Sequence, residues 1–311
     1  MTALQEAVRD DTAGDPVTGL RWTHKATRKL AEQLRRQGFA VSHTTIARLL
    51  RQGGYALRTN RKRLARTHEP ERDRQFRLLQ RRRRRFLSQG WPVLSVDAKK
   101  KELIGNFKNP GRCWRQQERA VLDHDFPSAA RGRAIPFGIY DQGRNTGFVV
   151  VGISHETAAF AAAALRTWWL ENGRWCYPKA RRWLIEADCG GANGNRRWDW
   201  KVALQGLADE FAVTITVSHY PPGASKWNRI EHRMFSLISR NWQGVPLEDY
   251  ETILNYIGTT TSAKGFHCRA LLDTQHYPTK QKVSAAAKAA VRLKPHRILP
   301  QWNYTICPNA K

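Results

Sequence analysis

Several things are scarce in this chain of 311 residues, and each scarcity removes a class of protein. Acidic charge is the first: 26 Asp and Glu stand against 53 Lys and Arg, leaving a formal net charge of +27 and a pI near 10.6. Such a field repels cations and draws in polyanions, so nucleic acid is the leading partner. Long apolar runs are missing too. The alanine-rich stretch from Ala158 to Leu165 falls far short of the roughly 18 residues a spanning helix needs, so no membrane partner is expected. The opening stretch to Leu20 is polar and acidic and has no signal-peptide pattern, which leads to the expectation of a cytoplasmic protein, associated with the nucleoid when bound to DNA. The five cysteines, at 113, 176, 189, 268 and 307, form no C-x-x-C pair, so a zinc module or disulfide framework is not expected and the thiols read as reduced. No Walker-type phosphate loop, nucleophilic-serine elbow or internal repeat is present.

What is present points to a globular chain, 41% hydrophobic, with twelve Trp that read mainly as core and surface anchors. The charge is uneven: residues 1–90 hold 22 of the Lys and Arg against 8 acids, about half the net excess. Beyond a polar segment at 1–20, residues 21–60 read as a small helical module. Thr23 can cap a helix over about 24–37 whose Leu30 and Leu34 lie four apart, with Gly38 ending it. Ser42 can cap a second helix carrying Ile46, Leu49 and Leu50 on one face, closed by Gly53-Gly54. Helix, tight turn and basic helix suit a helix-turn-helix, with His43, Thr44 and Thr45 near base edges and Arg48 and Arg51 on the same element; a generic helical hairpin is the plainer alternative. The basic run Arg58, Arg61, Lys62, Arg63 and Arg66, leading into Arg81 to Arg85 across a linker at 61–90, reads as phosphate-tracking and too charged to enter a core.

From Trp91 the pattern becomes strand and helix. Strands are predicted near 92–97, 134–141, 147–153, 182–188 and 213–218. Helices are predicted over 156–171 with Ser154 or His155 as cap, near 196–211, and from Lys226 to Asn241. That order is ribonuclease-H-like: a mixed α/β sheet flanked by helices, expected over 91–245. A C-terminal extension at 246–311 should add helices near 247–259 and 284–290 and an edge strand at 302–306.

Three carboxylates stand out against the basic background. Asp97 closes the strand at 92–96, Asp188 follows the apolar run Trp183 to Ala187 and opens a glycine-rich turn, and Glu231 lies in the helical stretch after Lys226. The first and fourth strands are neighbours in this order, so Asp97 and Asp188 can face one another, and carboxylates so close are reconciled by a shared divalent cation. Oxygen-only ligands suit Mg²⁺ or Mn²⁺, and two ions about 3.5–4 Å apart can serve an in-line phosphoryl displacement. Lys99, Lys100 and Lys101 follow Asp97 and can hold DNA backbone, while Lys226 and Asn228 can touch substrate or a metal-bound water. Asp125, Asp141, Glu186, Asp209 and Glu210 are competing acids, and Glu186 reads as a salt-bridge partner or auxiliary ligand. Acids at strand ends are common, so the triplet taken alone is a weak signal.

Longer blocks are more specific. The segments SVDAKKKELIGNFKN (95–109), HDFPS (124–128), ADCGGANG (187–194) and SKWNRIEHR (225–233) resemble the ISAzo-type insertion-sequence transposases of the DDE class, over about residue 20 to Ile306. Ala98 and Cys189 stand where that family has Thr and Gly. The resemblance implies a helix-turn-helix that binds element ends and a ribonuclease-H-like domain that cuts and rejoins DNA with two divalent ions. Its triad falls on Asp97, Asp188 and Glu231, and a homo-oligomer on double-stranded DNA is implied. Two other readings stay open, a structure-specific endonuclease on the same fold and a DNA-binding protein that has lost catalysis.

Overall fold

The computed structural model describes residues 2–9, 12–14, 21–23, 26–57 and 69–309. The chain divides into two compact units, residues 1–64 and 65–311. Arg58, Arg61, Lys62, Arg63 and Arg66 lie outside the described residues.

The first unit holds α1 (Thr2–Arg9), a short antiparallel pair β1 (Thr12–Gly14) and β2 (Arg21–Thr23), then α2 (Thr27–Arg36) and α3 (His43–Gln52). Its core joins Leu4 and Ala7 of α1 to Leu30, Ala31 and Leu34 of α2 and Ile46 of α3, so the stretch read as a polar segment contributes a packed helix. Thr23 does not start the helix: it pairs with Thr12 in the hairpin, and α2 starts after Ala26 with no side-chain cap. Ser42 does cap α3, its Oγ accepting from the Thr45 amide at 3.1 Å.

The second unit opens with α4 (Arg72–Ser88), followed by β3 (Val93–Ala98), β4 (Glu102–Ile104), β5 (Gly132–Asp141) and β6 (Thr146–Gly152). Next comes α5 (Ala158–Trp168), which a π-helical turn at Trp169–Gly173 joins to α6 (Arg174–Cys176). The chain continues through β7 (Arg182–Ala187), α7 (Trp198–Phe211), β8 (Thr214–His219), α8 (Ser236–Asn241), α9 (Tyr250–Gly258), β9 (His267–Asp273), α10 (Ala285–Ala289), β10 (Leu293–Pro295) and β11 (Asn303–Ile306).

The sheet order is β10-β11-β8-β7-β3-β5-β6-β9, with β4 pairing off this path with β5. Its centre is the expected ribonuclease-H-like arrangement: β3, β5 and β6 form an antiparallel meander, and β7 and then β8 add in parallel on the other side of β3. β7 is buried on both faces, with Trp183 and Ile185 in the core under α5 and α7 and Leu184 packed with Phe86 of α4. On one face α5 and α7 bury Trp168, Trp183, Trp200, Leu94, Val96 and Ile185. On the other, residues 230–238 and α9 cover Tyr140, Val149 and Val151 with Ile230, Met234, Phe235, Ile253 and Ile257.

Four elements depart from the sequence reading. The Trp302–Ile306 segment is not an edge: β11 lies between β8 and β10, both antiparallel to it, and β9 closes the opposite edge in parallel with β6. Thr157, not Ser154 or His155, caps α5 by accepting from the Phe160 amide. The helix from Lys226 to Asn241 is broken into a 3-10 turn at Ser225–Trp227, a π-helical turn at Glu231–Phe235, and α8. Last, the run Arg81 to Arg85 is not wholly solvated: Arg82 and Arg83 turn inward, while Arg81, Arg84 and Arg85 stay exposed. α4 buries Gln75, Leu78, Leu79 and Phe86 against the sheet unit, and charge density misled because Arg82 and Arg83 find buried partners.

Candidate active site

Alternation along the central strands decides which residues share a face. In β3, Leu94 and Val96 point into the α5–α7 core, so Ser95 and Asp97 face the other side. In β7, Trp183, Ile185 and Ala187 join that same core, which leaves Glu186 and then Asp188 opposite to them. The last registered pair between these parallel strands is Val96 with Ala187, and Asp97 and Asp188 are the next residue of each. Both carboxylates therefore leave the sheet at one strand end, on the face that residues 228–235 also approach.

That approach is close. Asp97 is paired with Gly138 of β5, and a Cβ at Gly138 would lie 2.6 Å from a ring carbon of Phe235. A larger residue at 138 would have to displace Met234 and Phe235, side chains of the π-helical turn that begins with Glu231. On the Asp188 side, Gly191 has φ +72°, a left-handed conformation that bends the glycine-rich turn away from the strand.

Asp97, Asp188 and Glu231 are all half-buried. Burial is the larger cause that pushes the Asp97 carboxyl up to about 8, reinforced by the charges of Asp188, Glu231 and Glu156. Asp188 is pushed up to about 6, again mainly by burial, with Asn228 opposing and Glu231 adding. The chain thus crowds anionic groups at one strand end. Hydrogen bonds reach Asp97 from the Ala98 amide at 2.8 Å and Asp188 from the Asn228 side chain at 3.1 Å. Hard oxygen donors whose mutual repulsion lifts their proton affinity suit a divalent cation. The described side chains are not drawn into a three-ligand cluster.

Asn228 is fully buried and does not project outward as a substrate contact would. Its Nδ2 donates to Asp188 and, at 3.4 Å, to the Val96 carbonyl, and its Oδ1 accepts a short hydrogen bond from Ser95. Ser95 in turn accepts from the Ile230 amide at 3.2 Å. This chain ties β3, the end of β7 and the backbone before Glu231 together. His219, fully buried, bonds the Asp188 carbonyl at 2.9 Å and the Tyr304 hydroxyl at 3.1 Å, and burial pushes it down to about 4, so it is neutral at pH 7.

The other residues singled out in the sequence fall as follows. Lys99 is turned inward, paired with Glu102 at 3.0 Å and lying over the Trp242 ring. Lys100 is exposed, and Lys101 lies 3.5 Å from Glu156. Lys226 is exposed, its carbonyl meeting the ring of His232. In the first unit His43, Thr44, Arg48 and Arg51 are exposed and Thr45 is half-buried. Glu186 is no ligand but the buried partner of Arg83, and Asp141 binds the Tyr177 hydroxyl and the turn amides of Gly143 and Arg144. The Cys189 thiol donates to the Tyr220 carbonyl at 3.0 Å and burial pushes it up to about 12, so it tethers the turn as a protonated group.

Three contributors were not singled out in the sequence: Ser95, His219 and Glu156. For Ser95 a signal existed, since a serine inside an apolar strand must find a buried partner. Glu156, just before the α5 cap, reaches Asp97 only through space.

Because the folded protein holds the Asp97 proton more tightly than the unfolded chain does, protonation favours folding. That contribution is complete below about pH 4 and is lost as pH rises through about 8. The neutral isostere Asp97→Asn escapes the loss. Without metal it is expected to melt above the parent at pH 8 and level with it near pH 4; thermal denaturation in EDTA at both values checks this, and equal melting at pH 8 would refute the crowding.

The fold and this acidic strand end define a class, the ribonuclease-H-like enzymes of phosphoryl transfer. The profile of the family described as Rhodopirellula transposase DDE domain matches residues 3–308, and the chain belongs to that family. It is a DDE transposase, an enzyme of DNA transposition. No curated protein matches the sequence. Among solved structures the chain is similar to the Mos1 transposase paired-end complex with left transposon end, at 14% identity, covering 82% of this chain and 69% of that one, with a TM-score of 0.44. It is also similar to a pre-cleavage Mos1 transpososome (14% identity, 82% and 68% covered, TM-score 0.45). A third likeness is the Mos1 mariner paired end complex with Mn (15% identity, 82% and 68% covered, TM-score 0.43).

Proposed function

We propose that Asp97, Asp188 and Glu231 hold two divalent cations, Mg²⁺ or Mn²⁺, and that the chain cuts DNA at an element end and joins the freed 3′ hydroxyl to target DNA there. The observation that carries this is the convergence of Asp97 and Asp188 at adjacent strand ends with Glu231 acting on both. When bound, the ions supply Lewis acidity and neutralise charge at the scissile phosphate.

The chain's own part is positioning. Asn228 aims one Asp188 oxygen, Ser95 holds Asn228, and the neutral His219 ring fixes the Asp188 backbone by donating from Nδ1 to its carbonyl. Lys100, Lys101 and Lys226 supply cations near the acids for the flanking backbone, with Lys99 steadying the segment from within. His43, Thr44, Thr45, Arg48 and Arg51 on α3, with Arg61, Lys62 and Arg63 beyond it, read the element ends as a helix-turn-helix. Pairing two ends calls for a homo-oligomer on DNA, acting where the chromosome is, in the cytoplasm and its nucleoid. No helix among the described residues is long and apolar enough to cross a membrane.

The test is a strand-transfer assay with pre-nicked element ends, taken from the DNA flanking the gene, in Mg²⁺. Joined products are expected, whereas cleavage without joining would identify an endonuclease. Removing the aim of Asp188 should be visible in the same assay: Ser95→Ala is expected to lower joining about 10–100-fold with end affinity within about twofold, as loss of an orienting partner does. Unchanged joining would show that Ser95 serves packing alone.

A further inference from the structure

α4 carries more positive charge than its packing uses. Arg82 and Arg83 turn inward, to Ser218 and Asn303 and to Glu186 respectively. Arg81 and Arg85 stay exposed on the neighbouring surface. They line a cleft of about 320 Å³ together with Leu78 and, from the segment between β10 and β11, His296, Arg297 and Ile298. Among the described residues none of Arg81, Arg85 and Arg297 has an ion-pair partner. Leu78 and Ile298 supply apolar wall, and no carboxylate lines the cleft.

The cleft is built rather than incidental. Its far wall is held by His296, whose Nε2 meets Thr305 Oγ1 at 2.7 Å, whose Nδ1 meets Arg82, and whose amide donates to the Asn303 carbonyl at 3.0 Å. Burial and the Arg82 charge leave that imidazole neutral at pH 7, so the positive field comes from the guanidinium groups. Like charges gathered without a counter-ion are unfavourable in the free protein, and their repulsion is relieved when an anion enters.

The spacing decides what kind of anion. Arg77, also exposed, precedes Arg81 and Arg85 at intervals of four residues, so the three project from one side of α4 over about 12 Å. That is a track for several phosphates in a row, not a pocket for one. The track also starts beside the acids' own strand end: Gln75 donates to the His219 carbonyl at 2.8 Å, and the Phe76 ring lies 6.1 Å from that of Trp227.

We propose that the α4 cleft is a second DNA-backbone site, in which Arg81, Arg85 and Arg297 grip phosphates of the duplex leading away from the scissile bond. This rests on DNA being the substrate at the acidic strand end, but its test needs no cleavage. The affinity of the full chain for element-end duplex is measured in EDTA over a range of salt, for the parent, for Arg81→Gln/Arg85→Gln/Arg297→Gln, and for Arg174→Gln/Arg181→Gln/Arg182→Gln, which removes equal charge from exposed positions that do not line the cleft. Each lost phosphate contact lowers the slope of log affinity against log salt by about 0.9. The cleft triple is expected to lower it by about 2–3 and the control triple by less than about 1. A lysine triple at the cleft positions is expected to keep most of the slope. Equal changes in the glutamine triples, or no change at the cleft, would overturn the site while leaving the acid-dependent chemistry untouched, because metal is absent from the assay. Thermal melting of each variant confirms that the fold is intact.

Discussion

Asp188→Asn is expected to lower strand transfer by at least about 10³-fold, about 4 kcal/mol of transition-state stabilisation, while end binding stays within about twofold of the parent. The substitution is nearly isosteric, and its oxygen can still accept from Asn228, so the hydrogen-bonded chain from Ser95 to the end of β7 survives. What disappears is one negative charge at the strand end. That charge repels DNA, so any change in affinity should be toward tighter binding, in the direction opposite to the change in rate. Cleavage that persists in Mg²⁺ would remove Asp188 from the ligand set.

The largest effect on stability is expected at Arg83. Glu186 is fully buried and holds Arg83 through two hydrogen bonds, at 2.7 and 3.1 Å, while Tyr220 and Gln142 donate to the same carboxylate. Arg83→Met leaves a buried charge with only neutral donors and is expected to destabilise the chain by about 3–5 kcal/mol, read from urea denaturation at pH 7. Removing the charge as well, in Arg83→Met/Glu186→Leu, should recover a large part of that loss, because the penalty lies in the uncompensated carboxylate more than in the missing pair. A single-variant loss below about 1 kcal/mol would show that α4 is held without this ion pair, by its apolar face and the Gln75 and Arg82 hydrogen bonds.

These two residues also mark the boundary between sequence and structure. Asp188 is legible in the chain, since an acid ending an apolar run before ADCGGANG is both a strand end and part of a family block. Glu186, two residues earlier and on the same face, reads equally well as an auxiliary ligand. Its burial beneath Arg83 depends on α4, whose five consecutive arginines look like a solvated run in one dimension.

By itself the sequence determined the central strand order, the face shared by Asp97 and Asp188, the Ser42 cap and the family, because each depends on local periodicity, turn chemistry or contiguous blocks of residues. Only the tertiary structure decided that Asn228 faces inward, that the helix before Asn241 breaks into a π-helical turn over Gly138, and that β11 is an interior strand. It alone joins Arg297 to Arg81 and Arg85. Each of these results from contacts between residues far apart in the chain, where burial and partner geometry outweigh local preference, and a single sequence read along its length carries no record of which distant groups will meet.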